Sequence, residues 1–248
     1  MIGLLGKKMG QTRVYDAQGN AVHVTVVLAG PNRVLQCKTN DSDGYNSVQL
    51  GFGKQKDSRL TKAKLGHLKK FGVEAKREEP KTPVVLDGVQ WIAEFRDFGK
   101  PVKTGDLLNV DLFAKGDWID AIGTTKGRGF EGVVGRHGFA GGDSTHGAKG
   151  WHRRAGAIGC RLFPGTVRRG LKMPGHMGQV QRTVQNLEVI QVRPEDHVLL
   201  IKGAIPGATG DYVIIREAKK RPLGTKFVKG PAQTPKKGKS GAAAPAKK

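Results

Sequence analysis

Acidic residues are scarce in this chain. Its 248 residues include 21 Asp and Glu against 43 Lys and Arg, for a formal net charge of +22. Self-repulsion on that scale works against a compact monomer and calls for a polyanionic partner, either nucleic acid or an acidic membrane surface. Cysteine is scarcer still: Cys37 and Cys160 lie far apart and form no C-x-x-C pair. That excludes a disulfide framework and a cysteine zinc site, and it fits a reducing compartment. No stretch approaches the ~18 consecutive apolar residues of a membrane-spanning helix. The opening Met1-Ile2-Gly3-Leu4-Leu5-Gly6-Lys7-Lys8 puts its charges after a short apolar run, the reverse of a secretory signal. The expectation is a soluble cytoplasmic protein with no membrane partner. Aromatic residues make up only 6%, yet 37% hydrophobic residues suffice for a buried core and rule out wholesale disorder.

What the chain does have is period-two patterning. Val22-His23-Val24-Thr25-Val26-Val27-Leu28, Val34-Leu35-Gln36-Cys37 and Val48-Gln49-Leu50-Gly51-Phe52 read as short strands. Turn formers separate them: Asp16 to Asn20, Gly30-Pro31-Asn32 and Asn40 to Gly44. Such spacing predicts an antiparallel barrel or sandwich. Thr61 to Phe71 predicts a short basic helix with Leu65 and Leu68 inward, and Glu78 to Gly88, with Pro80 and Pro83, a loop insertion. Strands resume at Trp91–Phe95, Leu107–Val110 and Trp118–Ile122, and again at Thr183–Val192, Val198–Ile201 and Tyr212–Ile215. Between these halves, residues 126–182 hold 15 Gly and 11 Lys or Arg but only two acids, Glu131 and Asp143. A segment of that composition buries no core of its own and is ordered by a partner. The expected organisation is a discontinuous globular β-domain (1–125 and 183–217), an extension (126–182) and a disordered basic tail (218–248).

Gly127-Arg128-Gly129-Phe130-Glu131-Gly132 matches the dinucleotide fingerprint G-x-G-x-x-G, but the surroundings do not. The acid needed some 20 positions on falls at basic Trp151-His152-Arg153-Arg154. His137, His146, His152 and His176 have neither helical nor zinc-finger spacing, so no metal is expected. Asp143, Ser144 and His146 supply triad residue types without a nucleophile elbow. Nucleic-acid binding uses the same residues better. Cationic side chains neutralise phosphates and release counterions, glycine permits close backbone approach, and rings stack on unpaired bases. Arg128, Arg136, Lys149, Arg153, Arg154, Arg161, Arg168, Arg169 and Lys172 are the candidate phosphate contacts, and Trp151, His152 and Phe163 the candidate stacking groups. No groove-reading DNA module or RNA-recognition sheet motif is present. Small core and long basic extension suit threading into folded RNA. The competing classes are a nucleotide-dependent enzyme built on Gly127 to Gly132, tested by dialysis with dinucleotides, and a free nucleic-acid chaperone, tested by RNA selectivity.

One longer pattern contains the dinucleotide motif: Phe113-x6-Asp120-x2-Gly123-x-Thr125-x-Gly127-Arg128-Gly129-x2-Gly132-x3-Arg136. Position by position it resembles the signature of the universal ribosomal protein L-three family of the large subunit, in its bacterial form. The likeness extends to Gly3 to Arg13, Ser144-Thr145-His146-Gly147, Lys172 to Gly178 and Val198 to Gly207. The resemblance implies a translation-factor-like β-barrel with an rRNA-threading extension, without enzymatic activity, cofactor or small-molecule substrate. It further implies binding near the 3′ end of the large-subunit rRNA, nucleation of subunit assembly, an extension reaching towards the peptidyl transferase centre with Ala157 to Pro164 near its tip, and ribosomal proteins L-fourteen and L-nineteen as neighbours. Some bacterial relatives carry a methylated glutamine at the tip. Cys160-Arg161-Leu162-Phe163 contains none, so that modification is not expected. The insertion near Lys81 to Gln90 and the tail exceed the compact family pattern and receive no function from it.

Overall fold

The computed structural model describes residues 1–70 and 87–221. In chain order its elements are strands β1 (Gly3–Tyr15), β2 (Ala21–Leu28) and β3 (Asn32–Lys38), the one-turn helix α1 (Asn40–Asp43), β4 (Ser47–Lys56), helix α2 (Lys62–Lys70), β5 (Asp87–Arg96), β6 (Leu107–Leu108) and β7 (Trp118–Thr124). Then come β8 (Gly129–Glu131), helix α3 (Val133–His137), β9 (Gly175–Met177), β10 (Gln181–Arg193), β11 (Val198–Lys202) and β12 (Tyr212–Glu217). The fold is mainly β, as the patterning predicts, and its centre is a closed antiparallel barrel in the order β1-β12-β7-β10-β11-β2. β1 and β10 make closure possible. β1 pairs with β12 over Gly3 to Lys7 and with β2 from Lys7 to Tyr15, with a register shift between Lys8 and Gly10. β10 likewise passes from β7 to β11, with shifts between Val184 and Leu187 and between Val189 and Gln191. Such bulges bend a strand and raise its twist, so one strand can serve two sides of a barrel.

The strands predicted within residues 1–53 are divided between two sheets. β3 and β4 leave the barrel for a second antiparallel sheet, ordered β5-β4-β3-β6. One apolar core joins the two. Leu4, Leu5, Val27, Ile119, Leu199, Ile201, Val213 and Ile215 from the barrel are contiguous with Val34, Leu50, Phe52 and Phe95 from the second sheet. Removing each such side chain from water contributes about 1.5–3 kcal/mol. β1 lies tight on the second sheet because residue 3 is glycine: a Cβ there would collide with the Phe95 ring. The outer face of the second sheet carries a smaller cluster, Leu35, Leu68 and Val89. Leu68 of α2 is thus inward, as expected, and Leu65 is half-buried.

Three expectations change. Gly30-Pro31-Asn32 reads as a turn, but Asn32 opens β3 and is fully buried. Its side-chain oxygen accepts the Leu5 N–H at 3.2 Å while its amide donates to the carbonyls of Leu5 (3.1 Å) and Ala29 (3.0 Å). A side chain thus supplies the rung between barrel and second sheet that the backbone leaves open. At the other end the chain stays on the barrel beyond Glu217. Ala218 is buried and donates its N–H to the Trp118 carbonyl at 3.0 Å, and the Arg221 guanidinium sits 4.3 Å from the Trp118 ring centroid. Residues 222–248 of the expected tail, residues 78–86 of the expected insertion and residue 71 of the expected helix lie outside the described residues. Gly88, assigned from sequence to that insertion, lies within β5.

Candidate nucleic-acid interface

The long signature between Phe113 and Arg136 becomes intelligible once placed on the fold. Phe113 is in the core. Asp120, on β7, is fully buried; its carboxylate accepts the N–H groups of Asn186 (3.1 Å) and Lys219 (3.3 Å) and lies 3.5 Å from the Arg216 guanidinium. Thr125 closes the barrel end: its N–H donates to the Val180 carbonyl at 2.9 Å and its carbonyl accepts from Gln179 at 3.1 Å. From there the chain departs as a ribbon, with Arg128 N–H donating to the Met177 carbonyl at 2.9 Å and β8 pairing antiparallel with β9. Gly178 sits at φ 78°, and a Cβ there would strike the Lys126 carbonyl, so only glycine lets the two arms meet at this spacing. The G-x-G-x-x-G run is therefore part of a two-stranded ribbon followed by a five-residue helix. It is not the strand-turn-helix of a dinucleotide site.

Arg136, at the end of α3, ties the outgoing arm to the returning one. Its Nη1 donates to the Met173 carbonyl at 2.7 Å, and His137 Nε2 lies 3.0 Å from the same oxygen. Beyond this clamp the segment has little interior. Every residue from Lys149 to Pro174 is exposed. Local turns hold its shape: Gly142 N–H to the His152 carbonyl (3.1 Å), Trp151 N–H to Ala148 (3.3 Å), and Leu171 N–H to Arg168 (3.3 Å). Leu162 and Phe163, adjacent in the chain, are 91% and 87% exposed.

The candidate residues do not converge on one pocket. Trp151 and Arg154 are brought together, with the guanidinium 4.7 Å from the indole centroid, and they line a cleft with Phe139, Gly141 and Gly142. Arg136 is half-buried in the clamp. Arg128, Lys149, His152, Arg153, Arg161, Phe163, Arg168, Arg169 and Lys172 are strung along the exposed excursion. Among the described residues, no Lys or Arg between positions 126 and 182 is ion-paired with a carboxylate. His146 and His152 are exposed, and no group of three metal-ligating side chains occurs among the described residues. No helix among them is long and apolar enough to cross a membrane.

Ion pairing is instead found on the barrel, at Arg216–Asp120 and Lys202–Glu188, and on the second sheet. Lys38 Nζ meets Glu94 at 2.7 Å and the Tyr45 hydroxyl at 2.8 Å. The hydrogen bond to Glu94, then that to Tyr45, holds the Lys38 ammonium above the usual lysine range, and the Lys38 bond is the chief cause holding the Glu94 carboxyl below its usual value. Sequence reasoning missed Asp120 as an anchor, Asn32 as a rung and Met173 as the clamp's acceptor. The last acts through a backbone carbonyl, which leaves no side-chain signal.

Comparison with known proteins agrees with this geometry. The family model described as "Ribosomal protein L3" matches residues 84–199. The chain is 45% identical over 222 residues to the "Large ribosomal subunit protein uL3" of Brachyspira pilosicoli, covering 89% of this chain and 95% of that one. It is 46% identical over 223 residues to the protein of that name from Akkermansia muciniphila (89% and 99% covered) and 46% over 220 residues to that of Deinococcus radiodurans (89% and 96%). A barrel wall, a ribbon root and an arginine clamp laid out along one family signature, with relatives matched along nearly their whole length, place this chain in the ribosomal protein L3 family.

Proposed function

We propose that the chain is a structural constituent of the large ribosomal subunit whose activity is binding: it attaches near the 3′ end of the large-subunit rRNA, nucleates assembly there, and carries residues 126–182 towards the peptidyl transferase centre. The observation that carries this reading is the excursion itself. Unpaired cations and exposed rings on a coreless segment are rooted by a glycine-dependent ribbon and an arginine clamp. Such a segment is completed by a polyanion that neutralises its charge and stacks on its rings. In this reading residues 1–125 with 183–217 form the docking domain and residues 126–182 the threading extension. Arg128, Lys149, Arg153, Arg154, Arg161, Arg168, Arg169 and Lys172 contact phosphates. Trp151, His152 and Phe163 stack or pack on bases, and Arg136 shares its guanidinium between the clamp and the RNA. The neighbouring ribosomal proteins are L-fourteen and L-nineteen. The site of action is the cytoplasmic ribosome, with no catalysis of the chain's own.

The test is salt dependence. Binding of the full chain to large-subunit rRNA fragments is measured across a salt series for the wild type and for Arg153→Ala and Arg168→Ala. Each lost phosphate contact lowers the slope of log K against log salt by about one unit. Slopes and affinities equal to wild type for both variants would remove these residues from the interface.

A further inference from the structure

At the root of the excursion, outside the string of candidate residues, lies an open cleft of about 530 Å³, within the ~300–1,000 Å³ of ordinary small-ligand sites. Four separate parts of the chain build it: Trp91 of β5, Thr124 to Gly127 at the end of β7, Gln179 just before β10, and Ala208 to Tyr212 leading into β12. We propose that this cleft binds a single unpaired nucleotide of RNA, stacked against the Trp91–Tyr212 ring pair with its phosphate on Lys126 and its base edge read by Gln179 and Asp211.

The rings come first. The Trp91 and Tyr212 centroids are 5.0 Å apart at 33°, and Phe52 meets Tyr212 edge-on at 6.2 Å, which fixes the Tyr212 ring from behind. Both lining rings are half-buried, so they are pre-oriented rather than free to rotate. An aromatic platform of this kind accepts any base, because every base has a π-face.

The polar groups then supply direction. Lys126 is exposed, and its charge reaches the buried Lys8 ammonium, whose pKa is pushed down first by burial and then by Lys126, while Asp211 opposes the shift. Lys8 itself is spent on the Ile205 and Gly207 carbonyls at 2.8 and 2.9 Å. Lys126 is thus the cation of this cleft still open to a phosphate. One Asp211 oxygen accepts the Ala208 N–H at 2.6 Å, and a carboxylate keeps further lone pairs for a base N–H. Thr124, exposed at the rim, offers a hydroxyl to a ribose 2′-OH.

Gln179 completes the polar lining. It occupies φ 51°, a left-handed conformation unusual for a residue with a Cβ, directly after Gly178 at φ 78°. The turn it forms with Gly178 is held by its own N–H on the Thr125 carbonyl, and Gln179 lines the cleft from there. Its amide carries both a donor and an acceptor, the pairing needed to read a base edge. A free nucleoside triphosphate fits less well, since no glycine-rich cradle faces the cleft and a single lysine matches a single phosphate. Next to Arg128 and the ribbon, the cleft is continuous with the surface assigned to rRNA, and the inference rests on that reading.

The experiment uses large subunits assembled in cells with the full chain as wild type, Lys126→Gln, Trp91→Leu or Gln179→Gly, probed along the whole rRNA with base-specific and 2′-hydroxyl reagents. All three variants are expected in the subunits at wild-type stoichiometry, with the same one or two unpaired nucleotides becoming several-fold more reactive and the rest unchanged. Lys126 is exposed, so its variant keeps the test decisive even where Trp91→Leu fails to fold. Incorporated variants with reactivity profiles identical to wild type, or a photocross-link from position 91 to a neighbouring protein instead of RNA, would overturn the proposal. Absence of the wild-type chain from the subunit would instead remove the ribosomal reading itself.

Discussion

At the scale of single residues, this fold depends on polar side chains that stand in for backbone. Asn32 is the clearest case: fully buried, it bonds both the N–H and the C=O of Leu5. Asn32→Leu keeps the volume but strands two buried backbone groups, and urea unfolding should show a loss of about 1–3 kcal/mol. Such a rung is invisible to patterning, since Gly30-Pro31-Asn32 carries every mark of a turn and only the distant Leu5 gives the amide its purpose. Glu94 offers a second residue-scale expectation. Its folded pKa lies below its ordinary value of 4.5, so the stability it lends through Lys38 is complete above that pH and lost as the pH falls through the lowered value. Lys38, raised in the folded state, behaves oppositely: its contribution holds below its ordinary 10.5 and fades on the alkaline side. Melting temperatures of wild type and Glu94→Gln between pH 3 and about 6 should therefore converge at the acid end and separate towards neutrality. Parallel curves would place the acid sensitivity elsewhere.

At the scale of elements, the ribbon of β8 and β9 decides where the excursion points. Gly178→Ala adds a Cβ against the Lys126 carbonyl at φ 78°, a local cost of about 1–3 kcal/mol. The barrel contributes no strand to that ribbon, so the expected result is an unchanged main melting transition with faster proteolysis between residues 126 and 180. A drop in the main transition would mean that ribbon and barrel fold as one unit. The strands themselves were legible from sequence because each buries one face: Val24 and Val27 of β2, Leu199 and Ile201 of β11, and Val213 and Ile215 of β12 are all in the core. Their partition into two sheets was not. Period two reports which face is buried but carries no information about which strand lies alongside, and β3 pairs with β6 across more than sixty residues of chain. The two three-residue strands of the ribbon were also missed, because Gly129-Phe130-Glu131 and Gly175-His176-Met177 have no buried face to produce a pattern.

For the whole molecule, charge and core are segregated. The barrel and second sheet share one apolar core, while the excursion has unpaired cations and exposed rings and a wall only where Val133 and the clamp touch. The globular part has an apolar core of its own, whereas residues 149–174 are shaped by local turns and bury no side chain. The segregation of charge has a counterpart in composition, since residues 126–182 hold 15 Gly and only two acids. What composition left open was the anchorage, which rests on Thr125, Arg136 and the backbone of Met173. The measurement that tests the account most directly is sucrose-gradient sedimentation of cell lysate with detection of this chain, before and after a high-salt wash. An integral, rRNA-threaded component co-migrates with the large subunit and survives the wash. A chain that stays at the top of the gradient, or leaves the subunit at modest salt, would contradict the account.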